Sequence, residues 1–385
     1  MGMKIPFHKP FIDEEDILNV IEILKSGWLT IGPKTEEFEK KFKTFLGAKN
    51  AICLSSCTAA IHLAIKALGI KAGMEIVTPA INFISACEVA LQENILPILV
   101  DIDKHTGNIN INSLEKAITT NTKGMILVHF GGNPCEMDKI MEIAKDKGLF
   151  IIEDAAHALP SYYKGKIIGV IGDIGCFSFY ATKTMTTGEG GMAVTNNDEY
   201  ANKMRILRLH GISKDAWKRY SDEGDWYYEV IDIGYKYNLT DIQAALGLSQ
   251  LTKLEWMWER RKEIARRYIE AFKDIEEMEL QSIEPGNESS WHLFPIFIRL
   301  EALKIDRRGF INILKERGIG TSVHFIPIYR HPYYRKFFNY EYSKFPNSEW
   351  FYEREISLPI YPSLAIKDQE YVIENILDIC KRFKR

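Results

Sequence analysis

Five short apolar runs, at residues 51–54, 75–78, 96–100, 125–130 and 150–152, alternate with segments of helical periodicity in the first half of the chain. No other feature restricts the fold as strongly. Each run is apolar at consecutive rather than alternate positions, so a strand built from it buries both of its faces. The stretches 59–68, 84–92 and Met137–Lys147 carry apolar residues at helical spacing. Gly69 ends the first of these helices and Pro79 stops the second strand. This alternation predicts an α/β chain with a mostly parallel central sheet covered by helices on both sides. Ligands of such sheets bind beyond the carboxyl ends of the strands, so the residues that follow each run become the candidates for a site.

At 385 residues the chain exceeds one ordinary domain. From 239 to 272 the pattern reads as one long helix, opened by the capping side chains of Asn238-Leu239-Thr240-Asp241. Pro285-Gly286-Asn287 then signals a loop, 293–300 reads as a strand and 308–317 as a helix. The order predicts a large unit over residues 1–270, including the N-terminal segment and a connecting helix 239–270. A smaller α/β unit would fill 271–385. Charges nearly balance, with 49 Lys and Arg against 52 Asp and Glu, which argues against a nucleic-acid partner. No uncharged apolar run nears the roughly 18 residues of a membrane span. Lys9, Asp13 and Glu14 interrupt the N-terminal stretch before a secretory core forms, so a cytoplasmic location is expected. The cysteines at 53, 57, 87, 135, 176 and 380 form neither a CxxC pair nor zinc spacing with histidine, which predicts small buried side chains and no metal. Residues 213–237 concentrate Trp217, Tyr220, Trp226, Tyr227, Tyr228, Tyr235 and Tyr237 among charges. Covering a substrate and packing on a partner subunit are both open to that segment.

The chemistry gathers after the strands. The fifth run ends in Glu153-Asp154-Ala155-Ala156-His157, which sets an acid at a carboxyl end. Further on, Gly175-Cys176-Phe177-Ser178-Phe179-Tyr180-Ala181-Thr182-Lys183 leads an apolar strand into the turn Thr187-Gly188-Glu189-Gly190-Gly191. An amine there stands at the edge of a water-poor pocket. With a pKa of ~10.4, about 1 lysine in 2,500 is neutral at pH 7, which costs a nucleophile about 4.6 kcal/mol. A lysine held by an aldehyde cofactor avoids that cost, and pyridoxal 5′-phosphate (PLP) is the obvious aldehyde. Its ring nitrogen calls for a buried carboxylate such as Asp154. Its phosphate calls for hydroxyls and a helix N-terminus, which Ser55-Ser56-Cys57-Thr58 and Ser178 provide. Its ring calls for an aromatic neighbour, and Phe83 follows the second strand. Singly, each residue has an ordinary reading as a solvated charge, a cap or a packed side chain. Their joint placement after successive strands carries the argument. A dinucleotide oxidoreductase would need G-x-G-x-x-G after the first strand, where Ser55-Ser56-Cys57-Thr58 stands.

These motifs resemble those of the DegT/DnrJ/EryC1/StrS sugar aminotransferases. The resemblance extends to Ser26-Gly27-Trp28-Leu29-Thr30-Ile31-Gly32-Pro33, Gly234-Tyr235-Lys236-Tyr237-Asn238-Leu239-Thr240-Asp241 and Gly318-Ile319-Gly320-Thr321-Ser322-Val323-His324-Phe325. With Trp291-His292-Leu293-Phe294 it is nearest the arabinose-type enzymes, which aminate a UDP-linked 4-keto sugar. It implies a fold-type-I PLP enzyme, a homodimer with a shared active site, that moves nitrogen from an amino acid, L-glutamate, to a nucleotide-linked keto sugar. Lys183 would form the internal aldimine and shuttle the proton that yields pyridoxamine phosphate. Asp154 would pair with the pyridinium nitrogen and His157 would sit near the ring hydroxyl. Phe83 would stack on the cofactor, Cys57 would line the phosphate loop, and Thr58 and Ser178 would hold the phosphate. Asn238 would reach the phosphate bound by the neighbouring subunit, and Trp28, Tyr180 and His324 would face substrate. Cys57, Tyr180 and Lys236 stand where many relatives carry glycine, histidine and asparagine. A 3-keto sugar aminotransferase and a PLP-binding regulator without turnover are the alternatives within the family. Dehydratases of the family replace the lysine with histidine, so Lys183 argues for amino transfer.

Overall fold

The computed structural model describes residues 4–213, 227–338 and 341–385. Trp217, Tyr220 and Trp226 of the aromatic segment lie outside them. The chain begins with helices α1 (Glu14–Ser26) and α2 (Pro33–Leu46). Strands β1 (Asn50–Leu54), β2 (Glu75–Pro79), β3 (Leu96–Val100), β4 (Thr122–Val128) and β5 (Phe150–Asp154) follow, connected by α3 (Cys57–Ala67), α4 (Ser85–Gln92), α5 (Ile111–Ala117) and α6 (Met137–Lys147). The two-residue strands β6 (Tyr162–Tyr163) and β7 (Lys166–Ile167) precede β8 (Ile174–Ser178), β9 (Gly191–Thr195) and α7 (Asp198–Leu207).

These strands form a seven-stranded sheet in the order β1-β9-β8-β5-β4-β2-β3. β3, β2, β4, β5 and β8 run parallel, while β9 is antiparallel to both of its neighbours. Each face has its own core. One carries Phe38 and Phe42 of α2 against Leu127, Phe177 and Phe179. The other carries Ile61 and Ile65 of α3 against Ile52, Ile126 and Ile152. Helix α3 is apolar nearly all round, as a helix wedged between a sheet and other helices must be. All six cysteines are unpaired, and only Cys57 is less than fully buried.

The expected single helix over 239–272 is two helices, α8 (Asp241–Thr252) and α9 (Leu254–Phe272). The break falls at Lys253, whose amine reaches Asp13, the N-cap of α1, at 2.5 Å and Asp16 of its first turn at 3.0 Å. A long-range ion-pair cluster interrupts a run that local periodicity would have continued. Beyond α9 come β10 (Met278–Leu280), β11 (Asn287–Glu288), β12 (Phe294–Ile298), α10 (Arg307–Glu316), α11 (Pro332–Phe338), α12 (Pro346–Arg354), β13 (Glu355–Leu358) and α13 (Ile366–Phe383). The antiparallel sheet β10-β12-β13 is packed by α9, α10 and α13 through Tyr268, Phe272, Phe310, Leu314, Val372 and Ile376. The expected strand over 293–300 is the shorter β12. The N-terminal segment crosses to this unit, where Ile5 bridges Ile319. Conversely, Ile328, Tyr329, Tyr334 and Phe345 return to pack on Ala80, Cys87 and Leu99 at the edge of the large sheet.

Candidate active site

A cavity of about 510 Å³ opens at the carboxyl ends of the parallel strands, within the size range of small-molecule sites. Helix α3 presents its N-terminus there. Ser56 caps the helix by accepting the Ala59 N–H at 3.1 Å, and Cys57 and Thr58 of the first turn line the cavity. The start of β9 passes directly beneath. A Cβ at Gly191 would fall 2.3 Å from the Ser56 carbonyl oxygen and 2.6 Å from the Cys57 nitrogen, so only glycine allows this approach. Ser178, at the end of β8, lines the same part of the cavity. Orphan N–H groups of a first helical turn and two hydroxyls suit a phosphate dianion.

Asp154 ends β5 and lines the cavity, and its Oδ1 accepts the Ala156 N–H at 3.0 Å. Burial raises its pKa, opposed by that N–H and by the charge of Lys183. Strand alternation sends the preceding Glu153 to the other face. There it accepts N–H groups of Gly169, Ile171 and Gly172 at 2.6–2.9 Å and lies 3.2 Å from His129. Two adjacent acids thus have different fates: one clamps a turn and the other reaches the ligand space. Lys183 is positioned by a tight turn, its N–H donating to the Tyr180 carbonyl at 2.9 Å. Burial brings its amine down to about 8, with Asp154 and Cys57 opposing.

His157 also lines the cavity, with Nδ1 accepting the Gly131 N–H at 3.3 Å. Burial, and then Lys183 and His324, keep the ring neutral by pushing its pKa well down. A neutral ring that accepts at Nδ1 carries its proton on Nε2, which suits a ligand oxygen. Phe83 is 56 % exposed and Tyr180 47 % exposed, both at the cavity wall. These large aromatics are open to a ligand rather than packed in the core. His324 lines the cavity beside Phe325.

Trp28, expected to face substrate, and Asn238, expected at a neighbouring subunit's site, do not line this chain's cavity. The Trp28 indole N–H donates to the Ile31 carbonyl at 3.2 Å, and the ring covers Gly32, where a Cβ would fall 2.0 Å from Nε1. Trp28 closes the turn into α2 and does not line the cavity. Asn238 bridges Leu54 beside the end of β1, takes the Lys236 amine at 2.5 Å, and also stays outside this chain's cavity. Asp241 from the same motif is buried and accepts the N–H groups of Lys34 and Thr35, so it caps α2. Sequence reasoning missed Phe7, Asn82, His292 and Phe325, which all line the cavity. Asn82 was within reach of the rule that nominated Phe83. His292 and Phe325 stand in motifs that by themselves assign them no role, and Phe7 arrives from a segment distant in sequence. Asn82 Nδ2 and His292 Nδ1 are buried without a hydrogen-bond partner, as groups awaiting a polar ligand are.

A partly buried amine, a buried carboxylate, a helix N-terminus with flanking hydroxyls and an open aromatic ring converge on one cavity, and together they fit PLP. The family model of the DegT/DnrJ/EryC1/StrS aminotransferases matches residues 10–377. The chain belongs to this family. It is 48 % identical over 378 residues to the spore coat polysaccharide biosynthesis protein SpsC of Bacillus subtilis, covering 98 % of this chain and 97 % of that one. PseC of Helicobacter pylori, an aminotransferase involved in the biosynthesis of pseudoaminic acid, superposes with a TM-score of 0.92 at 32 % identity, covering 98 % of this chain and 100 % of PseC. The Streptococcus pneumoniae sugar aminotransferase Spr1654 in its PMP form gives 0.93 at 33 % identity, covering 98 % and 100 %. This DegT-family member is therefore a fold-type-I sugar aminotransferase with PLP as its cofactor. Among its described residues no helix is long and apolar enough to cross a membrane.

Proposed function

We propose that the enzyme transfers the amino group of L-glutamate to a nucleotide-linked keto sugar, a UDP-4-keto sugar, as a cytoplasmic homodimer. The placement of Lys183 carries this reading, because a partly buried amine brought down to about 8 lines the same cavity as the buried Asp154 carboxylate. When bound, PLP supplies a carbonyl carbon that exchanges with substrate amines and a ring that takes up electrons. The chain's own residues do the rest. Lys183 moves the proton to and from the reacting carbon as general acid and base. Asp154 would hold the positive charge of the ring nitrogen. His157 would donate from Nε2 to the ring oxygen, Cys57 would form part of the phosphate loop, and Thr58 and Ser178 would hold the phosphate. Phe83 would cover one face of the ring. Tyr180 and His324 meet the sugar at the open side.

Two observations support the homodimer. Asn238 lies outside the cavity of its own chain. Helix α1 exposes Ile17, Leu18, Ile21 and Leu24, an apolar face that a second subunit would cover. The relationship to SpsC supports a sugar destined for a polysaccharide. The test is to incubate the PLP-loaded protein with L-glutamate and a panel of nucleotide keto sugars and to read nitrogen gain by mass spectrometry. A UDP-4-keto sugar is expected to gain the amine. Gain only by a 3-keto sugar would move the position of amination, and gain by none would remove the reading.

A further inference from the structure

His324 reaches the cavity with a hydrogen-bonded support behind it. Glu355 opens β13 and Ser357 follows two residues on, so both project from one face of the strand. Both are fully buried. The chain before His324 is registered on β13 by a reciprocal bridge between Ser322 and Ser357. Glu355 Oε2 accepts the backbone N–H of His324 at 2.8 Å, and Oε1 accepts the Ser357 hydroxyl at 2.5 Å. The Ser357 oxygen lies 2.8 Å from His324 Nδ1.

A hydroxyl owns one proton. While Ser357 gives it to the Glu355 carboxylate, its oxygen can only accept from His324. The neutral ring then carries its proton on Nδ1 and turns the Nε2 lone pair to the cavity. A proton on Glu355 reverses the chain: the carboxyl donates to Ser357, Ser357 donates to Nδ1, and Nε2 carries the proton. The ring stays neutral in both arrangements, because burial and then the Lys183 charge hold it down at about 3. Burial pushes Glu355 up to about 8, against the Ser357 hydroxyl, the His324 N–H and Arg307 of α10. From β12 the facing residue is Phe297, which carries no charge, and Arg354 is turned to Glu301 and Glu353.

We propose that Glu355 and Ser357 are positioning residues that act through His324, the proton on Glu355 deciding whether the imidazole offers substrate a hydrogen-bond acceptor or a donor. This rests on reading the cavity as the substrate site. The acceptor form suits a sugar hydroxyl or an amino-acid ammonium, and the donor form suits a keto oxygen or a carboxylate.

The test is long-range 1H–15N correlation on the holoenzyme labelled in its histidine rings, with the His324 signals assigned by their absence in His324→Asn. The expected wild-type pattern is Nδ1–H at about pH 9.5, changing to Nε2–H as pH falls through about 8, with no imidazolium above about pH 5. Glu355→Gln places an amide N–H on Ser357 and is expected to hold the Nε2–H form throughout. Ser357→Ala is expected to uncouple the tautomer from pH and to raise KM for the keto sugar about tenfold with little change in kcat. Ser357→Thr, which keeps the hydroxyl, is expected to restore the wild-type pattern. A wild-type tautomer that does not change with pH, or one that changes identically in Ser357→Ala, overturns the relay. The spectra are taken without substrate. A relay that holds while no keto sugar gains nitrogen would therefore sink the proposed activity and leave this inference standing.

Discussion

Lys183 shows how much one environment changes one side chain. A solvated lysine is neutral about once in 2,500 at pH 7, whereas an amine brought down to about 8 is neutral roughly once in ten. Only the neutral amine attacks an aldehyde, so the sign is fixed. Below about 8 the reactive fraction falls tenfold for each pH unit, and above it the fraction saturates. The rate at which the cofactor-free protein captures PLP, followed by absorbance, is therefore expected to climb with pH and to level off above about 8. Lys183→Ala should give no adduct that borohydride can trap. A rate still climbing at about pH 10 would show that the amine is as well solvated as a surface lysine. At this scale the sequence was most informative at the carboxyl ends of parallel strands, where Asp154 ends β5 and Phe83 lies four residues beyond β2. It was silent where the side chain comes from elsewhere: nothing local marks Phe7 as a neighbour of Lys183, because folding alone brings the N-terminal segment over the cavity.

Between elements, the tightest constraint is the crossing of β9 under the N-terminus of α3. Gly191 pairs with Leu54 on one side and Ser178 on the other, with the Ser56–Cys57 backbone against its α-carbon. A methyl group there meets backbone that no rotamer change can move, an overpacking cost of about 1–3 kcal/mol. The displaced backbone includes the Cys57 N–H at the α3 N-terminus assigned to the phosphate, so Gly191→Ala is expected to weaken PLP binding at least about tenfold as well as to destabilise the fold. Gly188, at φ 79° with open space around it, is the control. Gly188→Ala should cost stability through backbone strain but leave PLP affinity within about twofold of wild type. Equal losses of PLP affinity in the two variants would refute the argument from contact. The same crossing shows what was legible in the elements. β1 through β5 were readable because strands buried on both faces must be apolar throughout. The two-residue strands β6, β7 and β11 were not, since they exist only by pairing with one another. Nor was the break at Lys253, where the partners of the amine lie in α1, far back along the chain.

For the whole molecule, the question is whether one chain holds a complete site. The cavity contains Lys183, Asp154 and the α3 terminus, yet Asn238 from the motif that also supplies the α2 cap lies outside it. The carbonyl of its neighbour Tyr237 accepts the Ser55 N–H at 2.7 Å, which ties this segment to the start of the phosphate loop. A residue held so near this loop, yet absent from the lining of its own chain's cavity, would be placed to serve a second copy under the proposed dimer. In a symmetric dimer each subunit would then lend Asn238 to the other's site. Subunit mixing separates the two arrangements. Lys183→Ala and Asn238→Ala are each expected to lose most activity as homodimers. If the site is shared, co-refolded mixtures put both lesions into one site of the mixed dimer and leave its other site intact. With equal mixing, half of the dimers are mixed, and activity should recover to about a quarter of wild type. If Asn238 instead acted on its own chain's site, every site in the mixed dimer would carry one lesion, and mixing would restore nothing.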